Sequence, residues 1–334
     1  MKSLILRGVE LLNLYPLFNR YTANTATVFM IHRVYPRGER GDGEISADHI
    51  EDFLRYLRKS KYNVISLTEY IDALKYQRDT YKTVVFTVDD GYRDFYLNAY
   101  PVFKKFEYPA TVFLTSDFIE KKIFLWWNLI EYAINQTDKT EIQLDVDGFG
   151  SLSLESKQQR ESAISRIVQY CKKVPDNDRA EMVCSLTKKL GVDMPGQPCG
   201  SIEPLSWDEV LEMSQNRIEF YPHSKTHPIM TRIPYDKKLE ELIEPKKLLE
   251  EKLKHPLDIF AYPNGTVEDF DDETIKALRE TGYKVAVTTI PGFDNTKVAG
   301  DPYRVHRFAI PSDTALFKQY VSGLEFFKDR LRQS

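Results

Sequence analysis

Two short motifs carry the residues with the clearest chemical potential. The first is Asp89-Asp90-Gly91, which follows an apolar, β-branched run typical of a strand buried on both faces. The second contains His223 and His227, four residues apart, and also follows a strand-like run. Neighbouring strand side chains point in opposite directions, but a glycine just past the strand lets the backbone turn and bring both carboxylates into one site.

Adjacent carboxylates repel each other, so a metal ion or a shared proton has to compensate their charge. One carboxylate and two neutral imidazoles form a three-ligand metal site with an open coordination position, the arrangement of hydrolytic metal centres. Pro228 disfavours a helix at His227, which favours a tight turn. Each motif alone also fits an ordinary surface turn. Because each follows a buried strand, the two together favour a metal centre.

The composition indicates a globular protein with no preference for polyanions. The 334 residues are 42% hydrophobic and 13% aromatic, and 46 basic against 50 acidic residues give a net charge of −4. Nucleic acid and anionic membrane surfaces are therefore not expected partners. The three cysteines, Cys171, Cys184 and Cys199, form no metal-binding spacing and no evident disulfide framework, which favours a reducing, cytoplasmic location. No segment approaches the roughly 20 apolar residues of a transmembrane span.

Strand-like and helix-like segments alternate along most of the chain. About eight strand candidates are separated by helix patterns, among them 93–106 and 314–332. This alternation implies parallel pairing and enough strands to close a barrel. In such a barrel the carboxyl ends of all strands open on one face, where the carboxylate and histidine motifs would meet. We therefore predict an α/β fold with its site on that face.

Two segments depart from this alternation. Residues 1–26 begin with apolar residues interrupted by Arg7 and Glu10, so we predict an amphipathic helix rather than a signal peptide. Packing on its own domain is the favoured role, with peripheral contact to a membrane or a partner as the alternative. Residues 116–205 contain further helix patterns, including those near 158–172 and over 176–190, and a hairpin around Asp147-Gly148. We interpret them as a largely helical insertion or cap on a barrel that spans 27–334.

Three motifs together resemble those of one enzyme family. TVDDG at 87–91, HSKTHP at 223–228 and FAYPNG at 260–265 occur in the order found in the polysaccharide deacetylases, the NodB-type carbohydrate esterases. The resemblance also covers 27–36 but leaves 116–205 unaccounted for. It implies a distorted (β/α) barrel with about seven or eight parallel strands.

The resemblance implies roles for individual residues. Asp90, His223 and His227 are the implied ligands of a divalent metal, most often zinc, and Asp89 is the implied general base. Tyr262, in the FAYPNG loop, occupies a position where a backbone N–H helps to form the oxyanion hole.

Two histidines compete for the role of general acid. The C-terminal Leu-x-x-His motif of many family members is matched only in part by RVHRFAI, which contains His306. The segment FMIHRV resembles an early strand from which other members take the acid, with Ile31 in place of tyrosine. We therefore prefer His32.

Substrate contacts are predicted for residues that could stack on a sugar or bind its polar groups, namely Trp126, Trp127, Arg93 and His306. Core packing is the favoured role for at least one of the tryptophans. Arg93, Asp94 and Arg307 are also candidate partners that support the site residues, but surface ion pairing explains them equally well.

These assignments predict a metal-dependent hydrolase that removes the N-acetyl group from an N-acetylated sugar in a polysaccharide or glycan precursor. A sugar O-deacetylase with the same site and a non-catalytic sugar-binding homologue are the alternatives. The sequence has neither a G-x-S-x-G nucleophile elbow nor a Gly-rich phosphate loop, so it gives no support to serine hydrolase or nucleotide-phosphate chemistry.

Overall fold

Parallel strands form the centre of the fold. The computed structural model describes residues 12, 14–39, 44–144, 149–298 and 300–333. In chain order the strands are β1 (Ala26–Ile31), β2 (Asn63–Val64), β3 (Thr83–Val88), β4 (Ala110–Leu114), β5 (Glu141–Leu144), β6 (Gly150–Ser153), β7 (Ile218–Pro222), β8 (Ile259–Ala261), β9 (Val285–Val287) and β10 (Phe308–Ala309).

The strand order explains why two distant motifs meet. The central sheet has the order β10-β1-β3-β4-β7, with β2 beside β3, and β8 pairs separately with β9. All of these pairs are parallel. A parallel bridge between Val287 and Val305 joins β9 to the chain that leads into β10. The predicted α/β class is confirmed, with parallel strands as in a distorted (β/α) barrel.

Helices cover the outside of these strands. They are α1 (Ala47–Lys59), α2 (Leu67–Lys75), α3 (Tyr100–Phe106), α4 (Ser116–Ile119), α5 (Trp126–Gln136), α6 (Lys157–Cys171), α7 (Asp176–Leu190), α8 (Trp207–Ser214), α9 (Tyr235–Leu253), α10 (Asp272–Glu280), α11 (Thr314–Val321) and α12 (Leu324–Gln333). Every residue of β1 and β3 is buried, because helices pack on one face of the sheet while the other face lines the barrel interior.

Two predicted helices have a different form in the structure. The helix predicted over 93–106 begins as a π-helical turn, Phe95–Ala99, and continues as α3 with Pro101 in its first turn, where a missing N–H costs least. The single helix predicted over 314–332 is divided into α11 and α12 at Gly323, whose φ is +82°. A left-handed residue cannot continue a right-handed helix.

The segment 116–205 has a hydrophobic core of its own. Side chains from α5, α6, α7 and the β5–β6 hairpin form a cluster separate from that of the barrel strands. The two hairpin strands pair in antiparallel fashion, with Leu144 opposite Gly150, while the predicted turn at 145–148 lies outside the described residues. This segment contacts the barrel at the carboxyl ends of its strands.

The predicted N-terminal helix lies largely outside the described residues, which exclude 1–11 and 13. The part that is described forms a 3₁₀ helix, Tyr15–Thr22. It packs against the other end of the chain, with the ring centroids of Phe18 and Tyr21 5.7 and 5.1 Å from that of Phe327. Among the described residues, no helix combines the length and the apolarity needed to cross a bilayer.

Candidate active site

The end of β3 places two carboxylates in different surroundings. The Asp89 N–H still donates to Ile31 O of β1 at 2.9 Å, so Asp89 continues the sheet. Asp90 leaves it with a φ of +74°, and Gly91 follows with a φ of +91°. A Cβ on Gly91 would lie 2.8 Å from side-chain atoms of Leu114 and Ile119. The close packing and the positive φ together require glycine after the carboxylate pair.

The end of β7 supplies the two histidines. The His223 N–H donates to Leu114 O at 2.8 Å, which continues the β4–β7 ladder. The chain then turns, with positive φ values at Ser224 and His227, and the His227 N–H donates to Ser224 Oγ at 3.0 Å. The predicted tight turn is therefore present, and both imidazoles are buried.

Asp90, His223 and His227 converge as a set of metal-ligand donors. The two Nε2 atoms lie 3.5 and 3.4 Å from Asp90 Oδ1, and the three ligand atoms lie within 4.8 Å of one another. Tetrahedral zinc with bonds of about 2.1 Å separates its ligand atoms by about 3.4 Å. Asp90 Oδ1 is buried without a hydrogen-bond partner in the described part of the chain. The three residues therefore fit a divalent cation.

Charge and tautomer also favour a cation at this position. His223 Nδ1 lies 2.8 Å from Ala261 O, so this nitrogen carries the proton and Nε2 presents its lone pair to the site. Burial acts to raise the pKa of Asp90, but the two histidines beside it lower this pKa well below its usual range. Burial lowers the pKa of His227, which favours the neutral imidazole that a metal requires.

Asp89 forms a buried ion pair with Arg307. The guanidinium Nη1 and Nη2 atoms donate to Oδ1 and Oδ2 at 2.7 and 2.8 Å, and Arg307 also donates to Thr288 O and Thr87 Oγ1 at 2.8 and 2.9 Å. Arg307 is completely buried, so the surface ion pair considered for it is wrong. Burial acts to raise the pKa of Asp89, but the charge and hydrogen bonds of Arg307, together with the nearby His223 and His32, lower it overall.

A cavity of about 380 Å³ opens beside these groups. One wall comes from the barrel and includes His32, Asp90, His227 and Asn264, while the opposite wall comes from α5 and α6. The lining residues are His32, Arg33, Tyr35, Asp90, Tyr92, Trp126, Trp127, Asn128, Glu131, Ile164, Val168, Lys172, His227 and Asn264. Such a concave site with a few converging polar groups is typical of a small-molecule or sugar subsite.

Comparison with known proteins decides the family. The sequence model described as "Polysaccharide deacetylase" matches residues 76–286, more than half of the chain. The chain belongs to the polysaccharide deacetylase family. It is also 30% identical over 104 residues to YxkH of Bacillus subtilis (strain 168), whose name assigns it to this family. That alignment covers 31% of this chain and 36% of YxkH, so only about a third of the curated relative is matched.

Solved structures show the polysaccharide deacetylase fold over nearly the whole chain. The deacetylase PplD of Streptococcus pyogenes has a TM-score of 0.60 at 18% identity, covering 91% of this chain and 98% of PplD. A de-N-acetylase of Aggregatibacter actinomycetemcomitans has a TM-score of 0.56 at 17% identity, covering 89% and 100%. IcaB from Ammonifex degensii has a TM-score of 0.56 at 18% identity, covering 90% and 98%.

Some of the predicted site residues lie away from the cavity of this chain. His32 lines it, whereas His306 does not and instead places Nδ1 2.7 Å from Asp294 Oδ1. Arg93 is also absent from the lining and donates to Glu203 and Glu209 at 2.9 and 2.7 Å. The surface ion-pair interpretation thus fits Arg93, and the structure does not bring Arg93 to the cavity.

The backbone role predicted for Tyr262 does not fit the structure. Its N–H donates to Val287 O at 3.2 Å and its hydroxyl donates to Tyr303 O at 3.1 Å, so β8–β9 pairing uses the donor expected in the oxyanion hole. Asn264, two residues further along the same loop, lines the cavity instead, and its buried Nδ2 has no hydrogen-bond partner among the described residues. A φ of +57° at Asn264 marks it as the turn residue of the loop.

The two tryptophans both line the cavity but differ in their packing. Trp126 is 8% exposed and belongs to the core of the insertion. Trp127 is only partly buried, and its ring centroid lies 4.6 Å from that of His227. Trp127 is therefore the better placed of the two to contact a sugar.

Proposed function

We propose that this chain is a metal-dependent hydrolase that removes the N-acetyl group from an N-acetylated sugar in a polysaccharide or glycan precursor. The observation that carries the proposal is the buried Asp90–His223–His227 donor set, of which Asp90 and His227 line the cavity. The paired Asp89 carboxylate is the neighbour of Asp90 in the chain and lies behind the cavity lining. The names of two structural neighbours, a deacetylase and a de-N-acetylase, support the same reaction class.

Asp90, His223 and His227 would hold the cation, and Zn²⁺ is the ion whose preferred ligands they match. A divalent cation bound there supplies Lewis acidity, which activates water as a nucleophile and polarises the acyl carbonyl. The protein contributes a rigid donor set, because both strand ends and the Ala261 carbonyl hold the ligands in place.

Asp89 acts as the general base in this proposal. Its pKa is lowered by Arg307, so the carboxylate remains ionised at neutral pH. Both oxygens accept a hydrogen bond from Arg307, yet each keeps a second lone pair that can receive a proton from the attacking water. Arg307 thus fixes the orientation of the base without occupying all of its acceptor sites.

His32 and Asn264 act on the leaving group and on the acyl oxygen. As the amide C–N bond breaks, the departing amine requires a proton, which His32 donates from the wall of the cavity. Asn264 lines the same cavity, and its buried Nδ2 has no hydrogen-bond partner among the described residues. In this proposal its amide N–H groups turn to stabilise negative charge on the acyl oxygen. The products are acetate and a free amino sugar. The same groups can hydrolyse an acetate ester, so the assay must separate the two bonds.

The decisive experiment measures metal content and acetate release together on a panel of N- and O-acetylated sugars. We expect His223→Ala/His227→Ala to lose zinc and activity, because a three-ligand site does not survive the loss of two ligands. Asp89→Asn should keep zinc while turnover falls by roughly 10²–10⁴-fold. The thermal unfolding of Asp89→Asn is recorded as well. In this variant the buried Arg307 charge would face a neutral amide, which is expected to lower stability, and the measurement separates that loss from the loss of the base.

Three results would revise the proposal. Stoichiometric zinc in His223→Ala/His227→Ala would show that these histidines do not bind the metal. Loss of zinc from Asp89→Asn would show that the assigned roles of the two aspartates are reversed. Acetate release from esters alone would make the enzyme an O-deacetylase.

A further inference from the structure

The two histidine ligands are oriented by different means. His223 Nδ1 has a backbone carbonyl partner, Ala261 O, at 2.8 Å. His227 Nδ1 is buried, and no hydrogen-bond partner for it exists among the described residues. Metal-binding imidazoles are ordinarily held by a hydrogen bond from the nitrogen that does not face the metal. The orientation of His227 therefore depends on contacts of another kind.

Aromatic packing provides those contacts. The Trp127 and His227 ring centroids are 4.6 Å apart at an interplanar angle of 72°. The His223 ring lies on His227 as well, at 4.8 Å and 77°. Edge-to-face contacts of this kind are directional, so together they restrict rotation of the His227 ring. Trp127 belongs to α5, in the insertion, whereas both histidines belong to the barrel.

Trp127 is itself held from two sides. Its Nε1–H donates to the Tyr92 hydroxyl at 3.0 Å, and this hydroxyl donates to Asn128 Oδ1 at 2.7 Å. On its other side, the Trp126 ring stands at 89° to it with centroids 5.3 Å apart. The Arg179 guanidinium of α7 lies 5.2 Å from the Trp126 ring centroid. A continuous set of contacts thus runs from the core of the insertion to His227.

We infer that the helical insertion is a structural part of the metal centre, in which Trp127 is a positioning residue that holds His227 in its ligating orientation. This inference rests on the metal site of the proposed function. The aromatic contact takes the place of a hydrogen bond to His227 Nδ1, for which the described part of the chain offers no partner. It also gives α5 a role besides forming the cavity wall.

The test is metal affinity, measured by calorimetric titration of the metal-free chain with Zn²⁺ and by the visible absorption spectrum with Co²⁺. Loss of a group that orients a ligand typically costs 10–100-fold in metal affinity. We expect Trp127→Ala to lose about that factor and to change the Co²⁺ spectrum. Trp127→Phe keeps an aromatic ring against His227 and should restore much of the affinity. Tyr92→Phe removes only the hydroxyl that anchors Trp127 and should give an intermediate loss.

Trp207→Phe is the matched control, because Trp207 is partly buried on α8 and does not line the cavity. Its metal affinity should equal that of the unmodified chain. Circular dichroism and thermal unfolding of each metal-free variant separate misfolding from a local effect, and Tyr92→Phe remains informative if Trp127→Ala does not fold. Unchanged affinity and spectra in Tyr92→Phe and in every folded Trp127 variant would overturn the inference. Failure of the unmodified chain to bind either ion would overturn the proposed metal centre as well.

Discussion

Adjacent aspartates acquire different roles because their neighbours differ. Asp89 receives two hydrogen bonds from a fully buried guanidinium. Asp90 instead faces two imidazoles, and its Oδ1 has no hydrogen-bond partner among the residues that the structure describes. The Asp89 carboxylate is held in place by the Arg307 guanidinium, whereas the Asp90 carboxylate is available to a divalent cation. Burial acts to raise the pKa of Asp89, but Arg307 lowers it below the unfolded value. The ion pair therefore adds stability at neutral pH that is lost as pH falls below about 3.9 and through the folded pKa.

The role of His32 is tested by comparing two leaving groups. An amine must be protonated as it departs, whereas the phenolate of an activated aryl ester leaves without a proton. We therefore expect His32→Ala to lower amide hydrolysis by roughly 10²–10⁴-fold and ester hydrolysis far less. Zinc content should stay normal, because His32 lies outside the donor set.

His306→Ala is the matched histidine control, since His306 is paired with Asp294 away from the cavity. It should affect both substrates little. Equal losses on amide and ester in His32→Ala would exclude the acid role, and an amide-selective loss in His306→Ala would transfer it to that histidine.

Short motifs predicted a candidate metal site because its residues lie at the ends of apolar strands, and the family resemblance selected Asp90 as its carboxylate. Arg307 was predicted only as a possible partner of the site residues, with surface ion pairing as an equal interpretation, for the opposite reason. Its partner Asp89 is more than 200 positions away, so no local pattern links them. An arginine within the apolar segment RVHRFAI was the only available signal, because a charge there must be either exposed or paired. Tyr262 was misassigned because the pairing of β8 with β9 determines which N–H groups of the loop remain free.

At the scale of elements, the cavity lies between the helices of the insertion, 116–205, and the carboxyl ends of the barrel strands. The barrel supplies the reacting groups, and α5 and α6 supply the opposite wall. Helix patterns predicted the helices of the insertion closely, since α7 begins at Asp176 and ends at Leu190 as predicted. Their position over the site could not be predicted, because it depends on contacts such as that between Trp127 and His227.

The wall formed by α6 is tested by filling the cavity from that side. Val168 lines the cavity without belonging to the metal donor set. Val168→Trp should lower kcat/KM for the sugar substrate by roughly 10–200-fold through a higher KM, because the added side chain competes with the substrate for space. Zinc content should be unchanged. Gln169→Trp adds the same side chain to an exposed neighbouring position of α6 and should have little effect. Equal kinetics in the two variants would place the substrate elsewhere.

At the scale of the whole molecule, the two ends of the chain close the fold together. β1 lies between β10 and β3, and the Phe29 ring of β1 stacks on Phe317 of α11 with centroids 5.1 Å apart. The alternation of strands and helices predicted the fold class but not this closure. The prediction of one continuous helix over 314–332 did not take Gly323 into account. A lone glycine within an amphipathic pattern does not reveal whether the helix continues through it.

Gly323 is the residue on which this closure can be tested. Its φ is +82°, and a Cβ there would lie 2.9 Å from Phe18 O and 3.0 Å from Thr22 Cγ2 in the N-terminal 3₁₀ helix. A left-handed alanine costs about 1 kcal/mol, and displacement of packed backbone adds about 1–3 kcal/mol. We expect Gly323→Ala to lower the free energy of unfolding in denaturant titration by roughly 2–4 kcal/mol while zinc affinity stays normal. Gly191→Ala provides the control, because Gly191 has a φ of +66° with no atom within 4 Å of the added Cβ, so only the conformational cost applies. Equal losses in the two variants would show that the contact between the chain ends does not contribute to the stability of the barrel.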